Sequence, residues 1–305
     1  MKDELRAFVK RFGIDRNPYS NPEGHQTVPK EIAKEWKKFQ KVKLIEFDHG
    51  GIKGTDLFLP PPQLNRPYYL ILAHHDTVPF SPGFDDNLSG MATVTQLVKS
   101  YHEGTLKGNI AFALTDFEEG HPRIWEEKKN WEEENGKIME GTESYFEFQR
   151  QFVEKYGGIS AFHGCKILIK WMRTAKLLDN LQGVINFESV GYFGTQQPIG
   201  NVQLPRDGNY LVAVGDANSQ HLLNIFTPPH YLQHRLEPLE FNPDARRSDH
   251  ALFWNIGVPA VMVTDTANYR NPNYHTPDDK IIDYGVLSQK IRAFMEGFNR
   301  IVLPQ

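Results

Sequence analysis

The chain has one cysteine, Cys165, among its 305 residues, which excludes an internal disulfide framework and suits a reducing compartment. Neither sign of charge dominates, since 34 Lys and Arg stand against 38 Asp and Glu for a net charge of −4. That balance offers no electrostatic footprint for nucleic acid or an anionic membrane surface, and it points to small molecules or peptides as partners. No segment approaches the roughly 20 consecutive apolar residues needed to cross a bilayer. The opening Met1-Lys2-Asp3-Glu4-Leu5-Arg6 leads into no apolar stretch of secretory type, so the expected location is the cytoplasm. Internal repeats and long low-complexity linkers are missing too, and the expected organisation is one domain over residues 1–305.

What is present is a rhythm of short apolar runs, each ending in a polar cluster. Tyr68 to Leu72 reads as a strand buried on both faces, and it delivers Ala73-His74-His75-Asp76-Thr77-Val78. Asn87 and Ser89 offer N-caps to a helix with Met91, Val94, Leu97 and Val98 on one face, ending near Gly104. Asn109 to Thr115 is a second buried strand, running into Asp116-Phe117-Glu118-Glu119-Gly120. Strand, acidic loop, helix, strand, acidic loop predicts an α/β fold on a mostly parallel sheet.

Upstream, residues 1–40 predict two helices broken at Asn17-Pro18 and Asn21-Pro22, with Ile32, Trp36 and Phe39 as a buried stripe. Val42–Phe47 and Thr55–Leu59 predict a hairpin at one sheet edge, turning at His49-Gly50-Gly51. Downstream, residues 121–176 predict a helical excursion, either a solvated surface pair or a lid over the site. Further strands are expected at Leu181–Phe187, Tyr210–Val214 and Pro259–Thr264, with helical structure over Ala217–Phe226 and a short helix capped by Ser248-Asp249-His250. The chain closes on an amphipathic helix carrying Leu287, Ile291, Phe294, Phe298 and Ile301.

Five potential metal ligands, His74, Asp86, Glu119, Glu188 and His275, fall at strand ends or in the loops that follow, where open α/β sheets collect ligands. Nitrogen and oxygen donors without thiolate suit catalytic zinc. Five donors favour two ions sharing one bridging carboxylate, and Asp86, in the turn between strand and helix, is the best placed to bridge. Two such ions can acidify a shared water and polarise a carbonyl. Neighbouring residues in extended backbone point to opposite sides, so Glu118 and Glu119 divide the work: one binds metal while the other takes a proton. Asp76 can hydrogen-bond back to His74 and orient it.

The blocks AHHDTV (73–78), GFDDNLSG (83–90), TDFEEG (115–120), NFESVG (186–191), RRSDHALFWNIGVPAVMVTD (246–265) and NPNYHTPDD (271–279) resemble those of the two-zinc aminopeptidases of bacterial leucyl aminopeptidase type. That superfamily also holds glutaminyl cyclases and transferrin-receptor-like domains. The resemblance runs from about Tyr68 to about Tyr284, weakest across the helical excursion. It implies a three-layer α/β/α sandwich around a mixed, mostly parallel sheet. It also implies a zinc exopeptidase acting on peptide or amino-acyl substrates with two Zn2+, for which Co2+ or Mn2+ could stand in. By resemblance, His74 and Glu188 bind one ion, Glu119 and His275 the other, with Asp86 bridging, Glu118 as general base and a cis peptide at Asp86-Asn87.

The sequence departs from its relatives in two places. Glu188 stands where Asp is common, and Ala245-Arg246-Arg247 stands where some relatives carry a tyrosine. Arg247 or Arg246 is a candidate for gripping the oxyanion or a substrate carboxylate, against a surface salt bridge. Tyr274 and Tyr269 are candidate pocket walls, and His121 is a candidate lining residue. His75 is expected to turn away from the ions, Asp249 and His250 to cap a helix or support ligands, and Cys165 to fill the core. Three other readings compete: a single-zinc glutaminyl cyclase, a dipeptidase or deacylase, and an inactive receptor-like domain. Complete ligands together with Glu118 disfavour the last. The deacylase group carries an inserted dimerisation domain, for which the excursion is too short and too helical.

Overall fold

The computed structural model describes residues 1–137, 143–156, 161–200, 202–236 and 244–302. Parts of the predicted excursion, 138–142 and 157–160, therefore lie outside the described residues. Two helices lead, α1 (Lys2–Phe12) and α2 (Pro22–Trp36). The Asn21 side chain caps α2 by accepting from the Gly24 amide, with Pro22 in the first turn, where its missing N–H is no loss. Ile32 and Trp36 are fully buried as predicted, but Phe39 is 42% exposed. The helix stops at Trp36, so the 3.6-residue phase no longer carries Phe39 inward, and its ring stacks on His102 instead.

Strands β1 (Lys43–His49) and β2 (Ile52–Leu59) form the predicted edge hairpin. Gly50 and Gly51, both at positive φ, make the tight turn that suits strand twist. Then come β3 (Tyr68–His74), α3 (Gly90–His102) and β4 (Ile110–Thr115), followed by α4 (Pro122–Asn135), α5 (Glu143–Tyr156) and α6 (His163–Thr174). The remainder is β5 (Leu181–Phe187), β6 (Leu211–Gly215), α7 (Gln220–Leu223), β7 (Tyr231–Arg235), α8 (His250–Trp254), β8 (Ala260–Thr264) and α9 (Tyr284–Val302). The sheet order is β1-β2-β4-β3-β5-β8-β6-β7. β4, β3, β5 and β8 run parallel at its centre, while β2 joins β4 and β6 joins β8 antiparallel. β7 went unpredicted: only Tyr231 of this edge strand is buried, which leaves too short an apolar signature to read.

Strand alternation divides the core in two. On one face Ile71, Ala73, Phe112, Leu114, Ile185 and Val263 pack against α1, α2, α3 and α9 through Phe8, Trp36, Leu97 and Phe294. On the other, Leu70, Leu72, Ala111, Ala113 and Val184 meet α6 and α8 through Cys165, Leu168, Met172 and Phe253. Each of the larger of these side chains, Leu, Ile, Val, Phe or Met, stabilises the fold by roughly 1.5–3 kcal/mol on removal from water. The excursion accordingly splits. α6 belongs to a sheet-covering layer, whereas α4 and α5 pack on each other around Phe148 and Phe152, flanked by Trp131, Ile124 and Tyr156. Among the described residues no helix is long and apolar enough to cross a membrane.

Candidate metal centre and active site

β3 ends at His74, flanked in the sheet by β4 and β5, so the loops leaving these three parallel strands share one corner. His74 Nε2 lies 3.1 Å from Asp86 Oδ1 and 3.3 Å from Glu188 Oε2. His275 Nε2 lies 3.0 Å from Asp86 Oδ2 and 3.3 Å from Glu119 Oε1. Each oxygen of Asp86 thus faces one imidazole. The backbone around it is held from the far end of the chain, because the Asp279 carboxylate accepts from the Asp86 amide at 3.1 Å and from the Asp85 amide at 3.2 Å. The Asp86–Asn87 peptide is cis. Of the two predicted caps of α3, Asn87 accepts from the Gly90 amide at 3.1 Å, whereas the Ser89 hydroxyl donates to the Asp85 carbonyl instead.

Asp76 ties two loops together. Its Oδ1 lies 3.3 Å from His74 Nδ1 and accepts from the Glu118 amide at 3.1 Å, and its Oδ2 accepts from the Glu119 amide at 3.0 Å. One carboxylate therefore fixes the backbone of the paired glutamates and lies beside the His74 imidazole. Beyond Asp76 the two side chains take different neighbours around His74: Glu118 groups with His74 and Glu188, and Glu119 with His74 and Asp86, the donor atoms of each group within 4.8 Å of one another, while a Glu119 oxygen also sits beside His275. Glu188 is clamped by hydroxyls, Ser189 Oγ donating to Oε1 at 3.0 Å and Ser248 Oγ to Oε2 at 2.7 Å. Asp249 makes no side-chain cap to α8; it accepts from the Thr115 hydroxyl, at the end of β4.

Despite those short separations, His275 Nε2 and Glu119 Oε1 are buried without a properly directed hydrogen bond. Buried polar atoms are nearly always satisfied, and atoms that crowd together without aiming at one another are arranged as donors around a common third atom. Imidazoles and carboxylates without sulfur suit Zn2+, Co2+ or Mn2+. The residues present therefore fit the binding of a divalent metal ion. The electrostatics agree. Burial alone would lower the pKa of both imidazoles, yet Glu188 and Glu118 hold His74 well above its ordinary value, and Glu119 and Asp86 push His275 up to about 10. Burial, with Asp86 nearby, raises Glu119 to about 7, and burial with Glu188 and Glu119 raises Glu118 well above the usual carboxyl range. So many buried carboxylates at one point attract positive charge.

Beside Glu118 and Glu188, which help to line it, opens a concave pocket. Ile199, Val202, Leu204, Val212, Val214 and Met262 make it largely apolar; Arg247, Tyr274 and Tyr269 also line it. Arg247 donates to Asn268 Oδ1 at 2.8 Å and to the Tyr274 hydroxyl at 3.4 Å, and the Tyr274 ring stacks on His275 with centroids 3.8 Å apart. Arg246 is exposed over the Trp254 ring and does not line the cavity. Nor does His121, which caps α4 by accepting from the Arg123 amide at 3.1 Å. His75 turns away to the Thr55 carbonyl at 2.9 Å, His250 meets the Ala245 carbonyl at 2.8 Å, and Cys165 is buried beside the Asp249 carbonyl. Sequence reasoning missed the roles of Ser248 and Asp279, although both sit inside quoted blocks, and the apolar wall contributed by Ile199, Val202, Leu204, Val212 and Val214, which carry no motif.

The sequence model of "Peptidase family M28" matches residues 59–295. Among curated proteins, "Uncharacterized protein YfbL" of Escherichia coli (strain K12) is 26% identical over 233 residues. That alignment covers 70% of this chain and 60% of the relative, so the chain spans less than two thirds of its length. Among solved structures, the LapA aminopeptidase of Legionella pneumophila superposes with a TM-score of 0.66 at 13% identity, covering all of this chain and 70% of that one. The glutaminyl cyclase of Macrostomum lignano gives 0.65 at 15% identity, covering 100% and 91%. At such identities these two likenesses concern the fold.

Proposed function

The chain belongs to peptidase family M28, and from that premise we propose that it is a metal-dependent aminopeptidase that removes apolar N-terminal residues from unblocked peptides. His74 and Glu188 would hold one ion, Glu119 and His275 the other, with Asp86 shared between them. The observation that carries this reading is the pair of imidazoles facing opposite oxygens of Asp86, 3.1 and 3.0 Å away, at the edge of an apolar cavity. When bound, such ions lower the pKa of water and polarise a carbonyl.

The rest is work for the chain's own groups. Glu118, on the His74 side of the centre, takes the proton of the attacking water and passes it to the leaving amine. Asp76 accepts from the Glu118 and Glu119 amides and lies 3.3 Å from His74 Nδ1, which keeps base and ligands in one frame. The clustered carboxylates favour a free α-amino group at the open end. Arg247 and Tyr274, joined to each other, flank the substrate carbonyl, and the wall of Val212, Val214 and Met262 takes the side chain.

The test is amino-acid release from Leu-terminated peptides, free and N-acetylated, with and without chelator. The expected result is turnover of the free peptide alone, lost on chelation, and reduced about 10²- to 10⁴-fold in Glu118→Gln. Turnover that survives in Glu118→Gln refutes the base assignment. One bound ion per chain together with cyclisation of N-terminal glutamine would establish the glutaminyl cyclase alternative instead.

A further inference from the structure

The N-terminal segment precedes the residues that the family model matches, 59–295, yet one of its side chains reaches the loop joining His74 to Asp86. Arg16 is fully buried. Its guanidinium donates to both limbs of that loop: Nε to the His75 carbonyl at 2.7 Å, Nη1 to Pro82 at 2.8 Å and Nη2 to Gly83 at 3.3 Å. Its other bonds return to its own segment, Nη1 meeting the Ile14 carbonyl at 2.7 Å and the Phe12 carbonyl at 3.4 Å. All of these end on backbone. The Arg16 amide donates to Thr77 Oγ1 at 3.0 Å, and the Asn17 side chain to the Thr77 carbonyl at 2.6 Å, so the grip extends along the loop.

A buried cation is retained only where its donors are used fully. A planar fork with five N–H groups is the side chain that can brace two chain segments at once, which the single point charge of lysine cannot. One braced limb begins next to His74 and the other leads into Asp86, whose shared carboxylate faces both imidazoles. We propose that Arg16 is a positioning residue: by spanning the His75 and Pro82–Gly83 limbs it sets the separation of His74 from Asp86, and through it the affinity of the centre for its ions. The proposal rests on the metal-centre reading above.

The experiment is a Zn2+ titration against a competing chromophoric chelator, paired with the Tm of the ion-free chain. Arg16→Met and Arg16→Lys are compared with the wild type and with Phe298→Ala, a core truncation on α9. Both Arg16 variants are expected to bind the more weakly held ion about 10- to 100-fold less tightly, the range for lost ligand support. Phe298→Ala is expected to lower Tm and leave ion affinity unchanged. Wild-type affinity in either Arg16 variant, or an equal loss in Phe298→Ala, overturns the proposal. If Arg16→Met does not fold, Arg16→Lys decides by the same criterion. A wild-type chain that takes up no Zn2+ removes the metal centre and this proposal with it, whereas wild-type uptake with no change in the variants overturns the proposal alone.

Discussion

Gly83 is the position where one added methyl group should disturb the whole of the proposed metal centre. It adopts φ 50°, ψ 56°, and a Cβ built there would lie 2.0 Å from the Asp86 carbonyl oxygen and 2.7 Å from Thr77 Cγ2. Left-handed backbone costs a non-glycine residue roughly 1–2 kcal/mol. The collision is the larger matter. Real Cβ contacts essentially never fall below 3.0 Å, so the Asp86 carbonyl must withdraw by about 1 Å, several times the ~0.2 Å latitude of metal–ligand distances. Asp86 is the shared ligand in the proposed centre, so both ions should weaken together, and a 1 Å misplacement is worth about 10²-fold in rate.

Gly104→Ala supplies the control. Gly104 has φ +77° with nothing within 4 Å of where an added methyl group would sit, so it carries the backbone strain without the clash. With 305 residues at ~2.1 cal/mol/K each, the unfolding entropy is roughly 0.6 kcal/mol/K, and ~1 kcal/mol moves Tm by about 1.5 °C. Both variants should show at least that shift. Only Gly83→Ala should lose ion affinity in a chelator-competition titration and kcat/KM on a Leu-terminated substrate, each about 100-fold. Two ions bound with wild-type affinity in Gly83→Ala, and kcat/KM within two-fold, would refute the reasoning.

Asp76→Asn leaves one acceptor where two amides and an imidazole converge; about 10- to 100-fold weaker ion binding is expected, and unchanged binding in the same titration would remove its orienting role. Saturation of two sites at 100 times their Kd stabilises the fold by ~2.7 kcal/mol each, so chelation should lower the calorimetric Tm by about 8 °C, and by half that if a single ion binds. Burial holds the His250 pKa down at about 4, outweighing the bond to the Ala245 carbonyl. The unfolded chain, with an ordinary value near 6.5, binds the proton first, so this group's stabilisation is full above pH ~6.5 and is lost as pH falls towards 4. Urea unfolding of the ion-free chain from pH 7 to 4.5 should therefore lose more stability in the wild type than in His250→Gln, by on the order of 2–3 kcal/mol; parallel curves would contradict the assignment.

Much of this protein was written locally. Apolar runs such as Tyr68–Leu72 and Asn109–Thr115 announce central strands because a strand covered by helices on both faces must be apolar throughout. Asn21-Pro22 and Gly50-Gly51 mark a cap and a turn because those conformations follow from a side-chain oxygen, a fixed φ and a missing Cβ. The acidic ends of the same strands also marked where donors would gather, since a parallel sheet brings the ends of its strands to one edge. Tertiary structure alone decided what is made of contacts between distant segments: that Arg16 braces a loop 59–67 residues away, that Asp279 holds the Asp86 backbone, and that Ile199, Val202, Leu204, Val212 and Val214 wall the cavity. It also decided that Phe39 turns outward and that β7 pairs at the edge. A side chain's neighbours along the chain set its backbone preference, but its hydrogen-bond partners are chosen by the packing of the whole, and no local pattern encodes that choice.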